Sequence, residues 1–401
     1  MHEDDHARIA LVCSPEGPAF SFGAMFPYAS MFKRPFDLDL ARENHAEFVK
    51  RLKKSGICVI DIQNHLLKDP AIRRRLQRLV YERSARQISK KVISKMGSDQ
   101  LKDAIMSPVT KGPRGLRETN QYVIQNPLMN MLYTRDQLVI FGDENRMIAV
   151  LCKMSNELRQ HEITLMESIA PSVEKISGIS IIGKIREPGV LEGGDFFSLG
   201  KSLCLVGVGP RTNIHGAKQL MNTWLTSDKV VLVRDDLEMR NERMHLDMVF
   251  NVISESSCIM ASDIIGPKSS KHRTIEEYIR IEKGSSIMNR KNKRQKTKSF
   301  SYVLNEASLG MEFAEYMNRI ANFKVLPIHC PDGSFACNIL NLGRGRVLAS
   351  YRPTVDKLRR SGLVSYAEYV EMSELNAMYG SLHCATQIVR STDVDGTSVP
   401  F

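Results

Sequence analysis

Residues 178–208, GISIIGKIREPGVLEGGDFFSLGKSLCLVGV, decide how this chain is built. The runs "GISIIGKI", "FFSLG" and "SLCLVGV" are rich in Ile, Phe, Leu and Val and are split by Gly- and Pro-bearing turns, the signature of short strands. Just upstream, "SNELRQHEITLMESIA" reads as a helix with Leu158, Ile163, Leu165, Met166 and Ile169 inward. Just downstream, "IHGAKQLMNTWL" reads as another helix and "KVVLVRDD" as the next strand. Short strands mixed with helices predict an α/β fold, although periodicity alone leaves the topology open.

The same grammar extends both ways. "RIALVCSP" predicts an opening strand, and "DLDLARENHAEFVKRLKKSGICVIDIQ" predicts helix, turn and buried strand, with Leu40, Phe48, Val49 and Leu52 inward and Gly56 as the stop. Residues 66–107 are charged, helical in pattern and poor in turn residues, and "KGPRG" at 111–115 closes them. The expected organisation is a catalytic domain over 1–65 and 111–401, with a helical insertion at 66–110. "MNMLYTRDQLVIFG" reads as a hairpin arm, and "KVLPI", "CNILNLG" and "RVLASY" as later strands before the helix "TVDKLRRSG". In "ERMHLDMVFN", residues 242–251, a strand would put Met244, Leu246, Met248 and Phe250 on one face and His245, Asp247, Val249 and Asn251 on the other. Residues 267–300, with "GPKSSKHR" and "NRKNKRQKTKSF", read as a basic loop inserted in the domain.

Composition narrows the classes. With 42% apolar residues in 401, a sizeable core is expected and wholesale disorder is not. No apolar run approaches the ~18 residues of a membrane span. The start "MHEDDHARIA" is too acidic for a secretory signal. Cytoplasmic residence is expected, or nuclear residence if the 290–298 tract is a signal. The eight cysteines lack CxxC spacing and read as reduced thiols. Of the net charge of +11, residues 268–298 carry +8, leaving +3 elsewhere. A nucleic-acid partner therefore rests on that one segment, and a solvated surface loop is the plainer reading.

Singly, the candidate groups have ordinary explanations. An Asp at a strand end such as Asp136 caps a turn. Glu192 opens "EGGD", whose glycines suit a tight turn. His245 reads as a half-buried histidine and Cys384 as a small hydrophobe. Together, however, a thiol, a histidine, three carboxylates including Asp247, and several arginines suit attack on a planar cationic carbon. Carboxylates match the fork of a guanidinium, a thiolate is the strongest side-chain nucleophile for its carbon, and a histidine beside a carboxylate can move the protons.

The series "NPLMNMLYTRDQ", "LRQHE", "LEGGDFF", "GPRTNIHGAKQL", "RMHLDMVFNVISES" and "LHCAT" resembles arginine deiminase, closest in wording to its protist and archaeal branch. The resemblance runs in order from near residue 8 to about 390. It implies the pentein fold, a five-fold pseudosymmetric ββαβ propeller, with a helical insertion. It also implies that L-arginine is hydrolysed to citrulline and ammonia without metal or cofactor. Cys384 then matches the nucleophile, Asp136 and Asp247 the carboxylates that grip the guanidinium, His245 the general acid/base and Glu192 its assistant. Asn130 matches a substrate-binding asparagine, and Arg159 and Arg211 match the arginines that receive the α-carboxylate. Expected partners are L-arginine and further copies of the chain, as a homodimer or higher homo-oligomer, with no membrane.

One position departs from the pattern. Many family members carry an arginine five residues before the cysteine, whereas "NAMYGSLHC" has Tyr379 there. Alternatives are a weakly catalytic pentein that binds arginine or an acidic partner, another guanidino hydrolase, or an amidinotransferase. Agmatine fits poorly, because Arg159 and Arg211 are both present.

Overall fold

The computed structural model describes residues 1–111, 122–124, 126–142, 147–288 and 294–390. "KGPRG" lies largely outside these, as does part of the basic tract. The opening strand Ala7–Val12 is buried on both faces, which is why its sequence is apolar without alternation. It pairs antiparallel with Gln387–Arg390 and parallel with Cys58–Asp61. Two parallel neighbours cannot be joined by a tight turn, so the chain crosses over through the helix Leu38–Lys54. Asp37 caps that helix by accepting from the N–H of Asp39 and Leu40, and Gly56 at φ 80 follows its end. Phe48 and Leu52 are buried as the spacing predicted, while Leu40 is exposed, as is Leu158, which lies in the 3₁₀ turn Glu157–Arg159 ahead of the next helix.

The same unit recurs along the chain. Leu138–Gly142 pairs antiparallel with Met147–Leu151, which pairs parallel with Ser180–Lys184 across the helix Gln160–Ser177. Phe196–Leu199, Leu203–Val208 and Lys229–Arg234 repeat the pattern across Ile214–Thr223. Phe250–Ser254, Ser257–Ala261 and Lys324–Ile328 repeat it across Phe313–Arg319. Leu340–Gly343, Arg346–Ala349 and Tyr366–Tyr369 repeat it across Arg352–Ser361. The described residues thus form five ββαβ units, and the first takes a strand from each end of the described chain. Buried residues form two apolar clusters, one including Leu11, Phe20, Phe48 and Ile169, the other Phe197, Phe250, Phe313 and Tyr316. Within residues 66–110 lie the helices Arg73–Arg83, Lys90–Lys95 and Ser98–Met106. No described helix is long and apolar enough to cross a membrane.

Three local expectations are corrected. Residues 242–249 are not a strand: short 3₁₀ turns at Asn241–Arg243 and Leu246–Met248 lead into a strand that starts only at Phe250. Alternation over so few residues fits a buried turn as well as a strand. "MNMLYTRDQLVIFG" likewise begins with a 3₁₀ turn, Met129–Leu132, and becomes a strand at Leu138. The described part of residues 267–300 is mostly not a loop. Thr274–Met288 and Arg294–Leu304 pair antiparallel and add two strands to the sheet of Lys229–Arg234. Their charge suggested solvent, but the Ile, Tyr, Thr and Ser between the charges support pairing.

Candidate active site

Each of the five units is led in by a turn just before its first strand, and those turns carry the candidate groups. Asp136 precedes Leu138–Gly142, and Glu192 and Asp195 precede Phe196–Leu199. His245 and Asp247 precede Phe250–Ser254, Asn338 precedes Leu340–Gly343, and Cys384 precedes Gln387–Arg390. Hydrogen bonds join each turn to the next. Arg135 N–H donates to the carbonyl of Cys384 (3.1 Å), and Gly193 N–H to the carbonyl of Asp136 (3.1 Å). Leu246 N–H donates to Asp195 Oδ1 (2.8 Å), Asn338 Nδ2 to the carbonyl of Asp247 (3.3 Å), and Cys384 N–H to Asn338 Oδ1 (3.3 Å). This chain of contacts returns to its start, so five turns far apart in sequence form a closed ring.

The glycines of "EGGD" serve that closeness. A Cβ on Gly193 would lie 2.1 Å from the carbonyl oxygen of Arg135, and one on Gly194 would meet the His245 ring at 2.9 Å. Neither residue has positive φ, so space rather than backbone freedom demands glycine here.

His245 Nε2 is 2.8 Å from Glu192 Oε2, and its Nδ1 lies 3.9 Å from Asp136 Oδ1. Burial works against the imidazolium, but the Asp136 charge and the Glu192 hydrogen bond outweigh it and raise His245 to about 9. Glu192 is fully buried, which would raise its pKa. The hydrogen bond and charge of His245, with Arg159 and Arg211, instead hold it far below the usual range. Its Oε1 accepts from the N–H and the hydroxyl of Ser155 at 2.8 and 2.9 Å. Burial pushes Asp195 up to about 6.

Cys384 is buried, and Asn338 Nδ2 donates to its sulfur at 3.1 Å. Asn338 Oδ1 also accepts from the N–H of His383 at 3.2 Å, so one amide holds the turn at Cys384 by sulfur and backbone. Burial, then the charges of Asp247 and Asp136, push the thiol well above its ordinary value. Asp247 Oδ2 is 3.6 Å from that sulfur and 2.8 Å from His383 Nδ1. Burial opposes ionisation of Asp247, but the hydrogen bond and charge of His383 prevail and lower its pKa. His383 stacks on Phe197 with ring centroids 5.4 Å apart.

Asn130, Asp136, Arg159, Arg211, His245 and Cys384 line one cleft with Met31, Tyr133, Met244, Met378 and Tyr379. The space between these side chains, open mouth included, is about 380 Å³. Asp247 and Glu192 stand behind this lining, reaching it through Cys384 and His245. Arg159 is buried and occupied: its Nη1 donates to Asp136 Oδ2, and its Nε and Nη2 grip Glu162, all at 2.9 Å. Arg211 is freer, donating from Nη1 to Ser155 Oγ at 3.2 Å, and it also faces an outer vestibule. Asn130 Nδ2 donates to the carbonyl of Ser30 at 3.3 Å. Tyr379, at φ 71 where a non-glycine is strained, stands at the mouth between cleft and vestibule.

Asp136, Glu192 and His245 each place a ligand-type atom within 4.8 Å of the others, the geometry of a small cation site. Arg159 Nη1, at 2.9 Å from Asp136 and 3.7 Å from Glu192, already offsets that charge. Four contributors escaped the sequence reading. Asn338 had no motif, Asp195 was read only as part of "EGGD", and His383 only as part of "LHC". Glu162 carried one available signal, its (i, i+3) spacing from Arg159.

Five ββαβ units with their lead-in turns locked in a ring define the pentein fold. Solved structures with it include the saxitoxin-pathway amidinotransferase SxtG from Microseira wollei, at TM-score 0.56 and 13% identity, covering 98% of this chain and 97% of that one. The N-terminal domain of ArgZ, a cyanobacterial arginine dihydrolase, matches at TM-score 0.53 and 14% identity over 96% of this chain and 97% of that one. A dimethylarginine dimethylaminohydrolase from Pseudomonas aeruginosa, complexed with citrulline, matches at TM-score 0.52 and 14% identity over 96% of this chain and 100% of that one. At such identities these likenesses speak for the fold alone. A family model described as arginine deiminase matches residues 30–390, and the chain belongs to the arginine deiminase family. Arginine deiminases of Staphylococcus aureus strains JH9 and Newman are 24% identical over 274 residues, 62% of this chain. The chain spans 65% of the length of those relatives.

Proposed function

We propose that the chain is an arginine deiminase, hydrolysing L-arginine to L-citrulline and ammonia through a covalent adduct on Cys384. One observation carries the reading. Asp136 Oδ1 and Asp247 Oδ1 are buried without a hydrogen-bond partner among the described residues, and they belong to the two acids whose charge bears on the Cys384 thiol. A buried, unpaired carboxylate oxygen is costly, and a guanidinium offers five N–H donors in a rigid fork. The free protein holds the thiol protonated. A cation bound between the acids neutralises the charges that hold it so, which favours the thiolate when substrate is present.

Cys384 then attacks the guanidinium carbon. His245, cationic at neutral pH, gives its proton to the departing nitrogen, and ammonia leaves. The neutral imidazole takes a proton from water, which adds to the same carbon, and citrulline departs as the C–S bond breaks. Asn338 steadies the sulfur throughout. Arg211 is the cation best placed to meet the α-carboxylate, while Arg159 orders Asp136. The helical pattern at 66–110 and the strand pair beyond residue 274 have no step assigned in this reaction.

The test supplies purified protein with L-arginine, agmatine and methylated arginines, and follows citrulline-type products and ammonia. Arginine is the expected best substrate and citrulline the expected product. Ornithine as product, transfer of the amidino group to an added amine, or binding of arginine without turnover would each replace this reading with one of its alternatives.

A further inference from the structure

A second pair of sulfurs lies in contact outside the cleft. Cys330 Sγ and Cys337 Sγ are 3.4 Å apart, across a turn in which Gly333 and Phe335 have φ of 74° and 51°. A disulfide needs about 2.05 Å, so the sulfurs must close by roughly 1.4 Å. The pair is asymmetric. Cys330 is half-buried and lines a surface cleft with Lys33, Arg243 and Asp332, whereas Cys337 is buried. The outer sulfur can therefore meet a dissolved oxidant and the inner one can resolve it.

Position gives the pair its consequence. Cys337 directly precedes Asn338, whose amide holds the Cys384 sulfur and the backbone of residues 383 and 384. The carbonyl of Cys330 accepts from Arg243 Nη2 at 3.2 Å, in the turn that leads to His245. Contacts thus run from this segment to Cys384 and to the turn that carries His245.

We infer that Cys330 and Cys337 form a reversible oxidation site for peroxides, whose disulfide draws Asn338 away from Cys384 and switches the centre off. The switching rests on the reading of Cys384 as the nucleophile. In the first step the Cys330 thiolate attacks a peroxide oxygen, the O–O bond breaks, and Cys330 becomes a sulfenic acid as hydroxide leaves and takes a proton to become water. In the second, the Cys337 sulfur attacks the sulfenic sulfur, the S–S bond forms, the S–O bond breaks, and the Cys337 proton leaves with the oxygen as a second water. The two sulfurs give up the two electrons that reduce hydrogen peroxide, and a dithiol returns them by exchange. Cys384 is the poorer target, because burial and the Asp247 and Asp136 charges keep its thiol protonated.

The test uses the full chain and its Cys330→Ser and Cys330→Ala variants, treated with hydrogen peroxide, alkylated and mapped by mass spectrometry. Arginine turnover and the rate at which iodoacetamide labels Cys384 in the native protein are followed alongside. Expected in wild type are a 330–337 cross-linked peptide, a fall in kcat of roughly 10–100-fold with KM little changed, and recovery with dithiothreitol. Cys384 labelling is expected to shift on the same time course, a readout that stands even if arginine is not the substrate. Both variants are expected to keep basal turnover and lose the reversible phase. Peroxide oxidation of other cysteines without the 330–337 link overturns the site. A link that leaves Cys384 labelling unchanged, or variants inactivated as fast and as reversibly as wild type, overturns the switch.

Discussion

Replacing Cys384 with alanine is expected to lower arginine turnover by about 10⁴-fold or more while the protein stays folded and still binds arginine. The reason is chemical rather than structural. The carbon of a guanidinium is a poor electrophile, and Cys384 is the one thiol in the lining of the described cleft. The side chain is small, and its main polar contact is the amide of Asn338, so truncation leaves one donor unpaired, at about 1 kcal/mol. Asp136 keeps its partner Arg159 and Asp247 keeps its partner His383, so the carboxylates that would grip the guanidinium stay in place. Circular dichroism and calorimetric titration with arginine separate this outcome from misfolding. A variant with full turnover would mean that Cys384 is only a buried thiol.

The second large effect is expected at His245. His245→Gln should keep a donor toward Glu192 while removing the titratable acid, lowering kcat by roughly 10²–10⁴-fold. The sign of the pH dependence follows from the raised pKa. In the proposed mechanism His245 reacts as the cation, so wild-type kcat should fall as pH rises through about 9. Stability has the same sense. The cation's contacts with Glu192 and Asp136 stabilise the fold fully below the ordinary value of 6.5, and that contribution is lost as pH rises through about 9. Wild type should therefore lose more of its Tm between pH 7 and 9.5 than His245→Gln does. Equal losses would show that His245 is neutral in the folded protein at pH 7.

Much of the fold was legible because strands such as Leu203–Val208 are short, apolar and flanked by glycine, whereas the long charged Thr274–Met288 and the polar Tyr366–Tyr369 carry no such mark. The closure of the units was not legible, because the bonds joining Cys384 to Arg135 or Asn338 to Asp247 span 249 and 91 residues and leave no periodic trace. Asn130, Asp136, Arg159, Arg211, His245 and Cys384, which the structure brings to one cleft, were singled out by residue type and resemblance, not by local geometry. The strand expected at 244–249 is a turn, and His245 and Asp247 face Glu192 and His383 respectively rather than sharing a strand face. Arg159 illustrates the limit of motif reading. The residue is where the motif places it, yet Glu162 and Asp136 occupy its guanidinium, a commitment visible only once the fold packs them together. Asn338 became visible through the repeat itself, because the fifth unit, which starts at Leu340, needed a lead-in turn equivalent to the others.

The most direct test is to mix the protein with excess L-arginine, quench in acid within milliseconds, and locate any covalent adduct by peptide mass spectrometry. The account predicts a single adduct on the peptide bearing Cys384, with the mass of arginine less ammonia, that decays as citrulline forms. An adduct on any other residue, or citrulline released in bursts with Cys384 never modified, would contradict it.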